Sequence, residues 1–135
     1  FVIFNVRGLS RNLRKEVYKT SRWYFWDNGV RNGLINNFNR LELRNDVGQL
    51  WENFMVGERL KRMANRGEQI NAYFWRTYDQ NEIDWVEEVG GKLAGFEFKW
   101  GRGRVKQKVV DEFTQAYPGS EVVLVNQENF ETFVS

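Results

Sequence analysis

The chain contains no cysteine and no histidine. Without cysteine there are no disulfides and no thiolate to act as nucleophile or ligand. Without histidine there is no Ser-His-Asp triad, no imidazole base and no His-bearing zinc site. Any catalysis must therefore come from carboxylates, lysine, tyrosine or a bound metal. No run of about 18 apolar residues occurs, which excludes a membrane-spanning helix. No Gly-x-x-x-x-Gly-Lys-Ser/Thr string occurs either, so a P-loop ATPase lies outside this sequence. The chain shows no signal-peptide pattern and opens on Phe1 instead of Met, and it is read as a fragment of a longer protein. A reducing cytoplasm is the natural compartment for a chain without cysteine.

What is present points to one packed domain. The chain has 135 residues, and 16% of them are aromatic, including six Trp and eleven Phe. That is enough apolar surface for a real core and argues against disorder. The net charge is only +2, but it is unevenly spread. Arg7, Arg11, Arg14, Lys15, Lys19 and Arg22 share one stretch with a single acid, Glu16. Lys99, Arg102, Arg104, Lys106 and Lys108 form a second, with no acid before Asp111. Such clusters are the footprint of phosphate-backbone binding; a solvated charged face accounts for them equally well.

The most informative stretch runs from Glu82 to Lys99. Two alternating runs flank Gly90-Gly91, which predicts a β-hairpin with a two-residue turn. Pairing Val89 with Lys92 then sets Asp84 opposite Glu97 and Glu82 opposite Lys99. Strict alternation places these four charges on one face and Ile83, Trp85, Phe96, Phe98 and Trp100 on the other. Carboxylates opposed at roughly 5 Å between Cβ atoms repel, whereas a divalent cation between them makes a binding site. The bland alternative is a Glu82–Lys99 cross-strand ion pair, with Asp84 paired to Arg76.

Other elements follow in order. Phe1–Val6 and Trp23–Trp26 read as strands joined by a polar, basic loop. Asp27 or Asn28 caps a weak helix from Gly29 to Asn37, and Asn37–Asn45 reads as a loop. Asp46 with Gln49 resembles a capping box at the head of the strongest helix, which Gly67 stops. Its stripe is Val47, Leu50, Phe54, Gly57 and Leu60. Glu52 lies among apolar neighbours there, so it faces a charge partner or a metal, or else packs beside Arg59 at the surface. Glu68–Tyr78 is a strand, with Ala72, Phe74 and Arg76 on one face and Tyr73, Trp75 and Thr77 on the other. A helix from Val105 to Tyr117 follows the hairpin, with Val109, Val110, Phe113 and Ala116 as its apolar stripe. Pro118-Gly119 breaks it, and Glu121–Asn126 is a buried strand. Asn129–Val134 reads as a final strand or docked tail. From Asp46 onward the order is αβββαβ.

Asp84 followed by Glu97-Phe98-Lys99 resembles the motif of the PD-(D/E)XK nuclease superfamily. Tyr24–Gly29, Gly48–Phe54, Tyr73–Arg76 and Glu82–Asp84 narrow the resemblance to the nuclease-like domain at the C-terminal end of prokaryotic AAA-type ATPases. That resemblance covers nearly the whole chain. It implies a single restriction-endonuclease-like α/β (α+β) domain over residues 1–135, with a mixed central sheet flanked by helices. The αβββαβ core spans 46–126, after an N-terminal hairpin and short helix. Residues 1–26 would be the tail of a winged-helix segment, or a frayed hairpin. It also implies Mg²⁺ or Mn²⁺ held by Asp84, Glu97, the Phe98 carbonyl and Glu52, with Lys99 beside the reacting phosphate. The implied partners are nucleic acid, DNA first, met by Arg102, Arg104, Lys106 and Lys108, and an ATPase domain of the same chain. Many nuclease-like domains keep the fold and lose the activity, so a non-catalytic interaction module stands as the alternative.

Overall fold

The computed structural model describes residues 2–12, 14–17 and 19–135; Phe1, where the first strand was expected to begin, lies outside them with Leu13 and Tyr18. A hairpin of β1 (Ile3–Arg7) and β2 (Ser21–Phe25) leads into α1 (Asn28–Leu34), a 3₁₀ turn (Leu41–Leu43) and α2 (Val47–Asn65). Then come β3 (Asn71–Arg76), β4 (Glu82–Val89), β5 (Lys92–Phe98), α3 (Gln107–Ala116), β6 (Glu121–Val125) and α4 (Phe130–Val134). The result is a mixed α+β fold. A four-stranded sheet of order β3-β4-β5-β6 is flanked by helices, and β1-β2 stands as a separate ribbon.

The hairpin at the centre forms as its sequence predicts. Gly90 and Gly91 take φ of 58° and 79°, the left-handed angles a primed turn requires. Val89 pairs with Lys92 and the ladder runs back to Trp85 opposite Phe96. β3 joins β4 antiparallel, and β6 joins β5 in parallel. A parallel pair needs a crossover, which α3 supplies.

The sheet has a core on each face. On one, α2 brings Trp51, Met55 and Val56 against Phe74, Trp85 and Phe98, with Val6, Tyr24 and Phe133 joining from the hairpin and α4. On the other, Val109 and Phe113 of α3 cover Trp75, Ile83, Val86 and Leu93, with Leu9 added. Each large apolar side chain buried this way contributes about 1.5–3 kcal/mol. Gly95 lets α3 sit close, since a Cβ there would lie 3.1 Å from Ile83 Cγ2 and 3.5 Å from Phe113 Cε1.

Several expectations are corrected. Between Tyr73↔Val86 and Trp75↔Ile83 the pairing advances two residues on β3 but three on β4. This bulge breaks the alternation and sends Ile83 to the α3 core, away from Trp85. Asp46 makes no side-chain cap on α2; it accepts instead from Arg44 (2.7 and 2.8 Å) and Arg31 (2.8 Å), because charged donors win over a backbone amide. Phe54 is 40% exposed, and Ala116 is exposed while Tyr117 packs on the α3 core. The last segment is a helix and not a strand. The Asn129 side chain closes the Asn126–Asn129 turn, donating to Leu124 O (2.7 Å) and accepting from Asn126 N (2.8 Å). That turn reverses the chain so that Phe133 packs tilted against Phe96 and edge-on against Phe98, at 4.9 and 5.4 Å between rings.

The segment between β1 and β2 lies along the open edge of β3. Leu9 N donates to Phe74 O (2.7 Å), Val17 N to Arg76 O (2.8 Å) and Tyr78 N to Lys15 O (2.9 Å). Glu16 anchors it and is only 2% exposed. Its carboxylate accepts from Arg11 N (3.0 Å), Asn12 N (2.9 Å), Tyr117 OH (2.6 Å) and Trp75 Nε1. Burial and then Glu16 push the Tyr117 phenol well above its usual range, so it remains a donor. An unsatisfied buried donor costs about 1–3 kcal/mol. Glu16→Ala should therefore lower stability by about 3 kcal/mol or more in urea unfolding, with Glu16→Gln, which keeps an acceptor, costing less. Equal effects of the two changes would show that the carboxylate's hydrogen bonds are not what holds the loop.

Candidate functional site

Beside the β4 bulge, acids from three elements come near one another. Glu52 projects from α2, Glu82 and Asp84 from β4, and Glu97 from β5. Asp84 and Glu97 lie one step beyond the last pair of the ladder, Trp85↔Phe96, near enough for Asp84 to raise the Glu97 carboxyl. The second Asp84 oxygen accepts from the Phe98 amide at 3.0 Å. Phe98 buries its ring in the core and offers only backbone to the site.

The cation at the centre is one that sequence reasoning missed. Arg22 of β2 reaches Glu52 Oε1 at 3.3 Å and Asp84 Oδ1 at 3.2 Å through Nη1, and Glu82 Oε2 at 3.1 Å through Nη2. Its guanidinium lies over the Phe74 ring, 4.8 Å from the centroid. Tyr24, two residues on and so on the same face, donates its hydroxyl to Glu52 Oε1 at 2.7 Å. Arg22 had been grouped with the basic N-terminal stretch. The signal that could have separated it is the Arg22-x-Tyr24 alternation, which places a charge beside a core aromatic. Neither ion pair of the bland reading forms. Glu82 is met by Arg76 at 2.5 Å and by Arg22, not by Lys99, and Asp84 is met by Arg22, not Arg76. Arg59 makes its ion pair with Glu87, and Glu52 makes its own with Arg22. For Glu82 and Asp84 the reason is the bulge, which re-aims the β4 side chains relative to strict alternation.

The electrostatics follow from this crowding. Burial, then the Asp84 hydrogen bond and charge, push the Glu97 carboxyl up to about 10, against the opposing field of Lys99. Burial and then Asp84 push Glu52 up to about 7, against Arg22 and the Tyr24 hydroxyl. Burial and Glu52 raise the Tyr24 phenol. Arg22 is disfavoured by burial, but Glu52, Tyr24, Asp84 and Glu82 outweigh that and hold it charged. Burial and the crowding of like charges thus favour the protonated forms of Glu52 and Glu97.

Two clefts meet at Glu82. One, of about 370 Å³, is lined by Arg22, Tyr24, Glu52 and Asp84. The other, of about 240 Å³, is lined by Glu97, Lys99, Arg104 and Lys106. Arg102, Arg104, Lys106 and Lys108 are all exposed.

Oxygen donors of this kind suit a hard divalent cation, and the cluster's excess acidity fits one. The present arrangement is not a formed cage, however. Among the described residues no group of three or more acidic side chains is placed to hold a metal ion, and two of the expected ligands, Glu52 and Asp84, are turned to Arg22.

Residues 47–134 match the family model described as Domain of unknown function (DUF4143). An uncharacterized protein of Mycobacterium bovis and one of Mycobacterium tuberculosis are each 29% identical over 90 residues. The matched stretch covers 65% of this chain and 20% of each relative. No solved structure matches the chain. Among the described residues no helix is long and apolar enough to cross a membrane.

Proposed function

The chain belongs to the DUF4143 family, a domain of unknown function, and we propose that it is a restriction-endonuclease-like domain that hydrolyses phosphodiester bonds of DNA with a divalent metal. The observation that carries this reading is that Glu52 of α2 and Asp84 of β4 meet on one guanidinium, with Glu97 of β5 next to Asp84 and lining a cleft with Lys99. The element order from α2 to β6, αβββαβ, also supports it.

Asp84, Glu97, Glu52 and the Phe98 carbonyl would hold Mg²⁺ or Mn²⁺. When bound, such an ion supplies Lewis-acid polarisation of the phosphodiester. Lys99, on the cleft wall beside Glu97, offsets negative charge building on the phosphate in the transition state. Arg102, Arg104, Lys106 and Lys108 supply phosphate contacts that position a duplex without reading its sequence. That the match takes up 20% of each mycobacterial relative supports one domain within a longer chain. The resemblance implies an ATPase in that longer chain, and the lack of cysteine suits a reducing cytoplasm.

A plasmid-cleavage assay with Mg²⁺ or Mn²⁺ tests the activity. Glu97→Gln and Lys99→Ala should each lower the rate by about 100-fold or more, the scale of losing one transition-state electrostatic contact. Cleavage at the same rate by Glu97→Gln would show that the activity lies elsewhere. A second reading, a non-catalytic nucleic-acid module, is favoured by one observation: Arg22 already pairs with the acids. That reading expects no cleavage, but duplex binding that weakens steeply with salt through counterion release.

A further inference from the structure

We propose that Arg22 is the resident cation of the acidic cluster, and that its guanidinium and a divalent ion exclude each other there, so that β2 holds the site closed. This rests on the reading of the cluster as a metal site.

Three observations converge on it. First, Arg22 Nη1 contacts Glu52 Oε1 and Asp84 Oδ1 at 3.3 and 3.2 Å. These oxygens belong to two of the carboxylates a metal would need, and no acid can serve both cations with the same lone pairs. The guanidinium is planar and presents several fixed donors, and here one such group faces three carboxylates at once.

Second, Arg22 has somewhere to go. Its side chain is 22% exposed and lines the cleft of about 370 Å³. It can turn toward solvent without dismantling the four-stranded sheet, because β2 pairs only with β1 in its own ribbon.

Third, Arg22 stands outside the span that carries the other groups. The family match covers residues 47–134, which include Glu52, Glu82, Asp84, Glu97 and Lys99. Arg22 and Tyr24 come from the preceding hairpin, which is tied to α2 by the Tyr24–Glu52 contact and by Asn53, whose amide bonds Phe25 N and O at 2.8 and 2.7 Å. Whatever moves this ribbon moves the cation. Removing the guanidinium frees carboxylate oxygens and takes a positive charge out of the site, and both changes favour a divalent ion.

The test is Mn²⁺ binding by calorimetry at fixed pH and ionic strength, comparing the wild type with Arg22→Gln, Arg22→Lys and Glu97→Gln. Arg22→Gln should bind Mn²⁺ at least about 10-fold tighter than the wild type, a change of about 1.4 kcal/mol. Arg22→Lys should fall between, since an ammonium keeps the charge but not the fork. Wild-type binding that Glu97→Gln abolishes, with Arg22→Gln no tighter, overturns the exclusion and leaves the metal site standing. No binding by any of the proteins overturns both. Should Arg22→Gln not fold, Arg22→Lys decides, and affinity equal to the wild type would overturn the proposal.

Discussion

An Arg59→Ala variant should lose about 3–5 kcal/mol of stability, the scale expected when a buried charge is left without its partner. Arg59 of α2 grips Glu87 of β4 through Nε and Nη2, at 2.7 and 2.8 Å. Its Nη1 donates to Phe133 O at 2.7 Å, and its guanidinium lies 4.6 Å over the Phe133 ring. One side chain thus ties the long helix to the sheet and to α4. Glu87 is 4% exposed and also accepts from Trp85 Nε1 at 2.9 Å, so it has little water to fall back on. The double change Arg59→Met, Glu87→Leu should recover much of the loss, because it removes both charges and fills the space. Urea unfolding measures all three. A loss under about 1 kcal/mol in the single variant would place the pair with surface bridges.

The second large effect is a fall in metal-free stability as pH rises. Glu52 and Glu97 bind protons more tightly in the folded protein than in the unfolded chain, where they return to ordinary values. The folded state therefore gains from protonation. That contribution is fully present below the ordinary Glu range and is lost as pH rises, through about 7 for Glu52 and about 10 for Glu97. The slope is bounded by about 1.4 kcal/mol per pH unit for each proton. Asp46 runs the other way. The hydrogen bonds from Arg44 and then Arg31 hold its carboxyl below the usual range, so its contribution is lost only on strong acidification. Thermal melts in chelator should be highest at mildly acidic pH and decline toward alkaline pH, and Glu97→Gln should flatten the decline. A melting temperature that climbs between about pH 5 and pH 9 would mean the cluster is not over-acidic.

What the sequence disclosed was local. The Gly90-Gly91 turn carries its register within a few residues, and α2 announces its end at Gly67 through a left-handed φ of 65°. The alternation of β3 correctly divided Phe74 from Trp75. Glu52, Asp84 and Glu97 could be assigned to their elements because each sits on a well-marked one, α2, β4 and β5. What stayed hidden depends on contacts between distant segments. Arg22 lies 30 residues from Glu52 and 62 from Asp84 in sequence, and no periodicity links them. The bulge that moves Ile83 to the other core leaves no mark in composition, because its extra residue keeps the same residue types. Asp46 shows the same limit. Its neighbours at +3 suggested a cap, yet Arg31 and Arg44 arrived from outside the helix and took its oxygens.

The loop that Glu16 holds against β3 also bears on solubility. β3 is the outer strand of the four-stranded sheet, and its backbone is covered by Leu9, Lys15 and Val17. A polypeptide cut back to the span of the family match would lose that cover together with Val6, Leu9 and Tyr24 from the two cores. It would present a bare strand edge beside freshly exposed aromatics, and such an edge is a template for another strand. The N-terminal third therefore acts as a selvedge, protecting the sheet from joining its own kind.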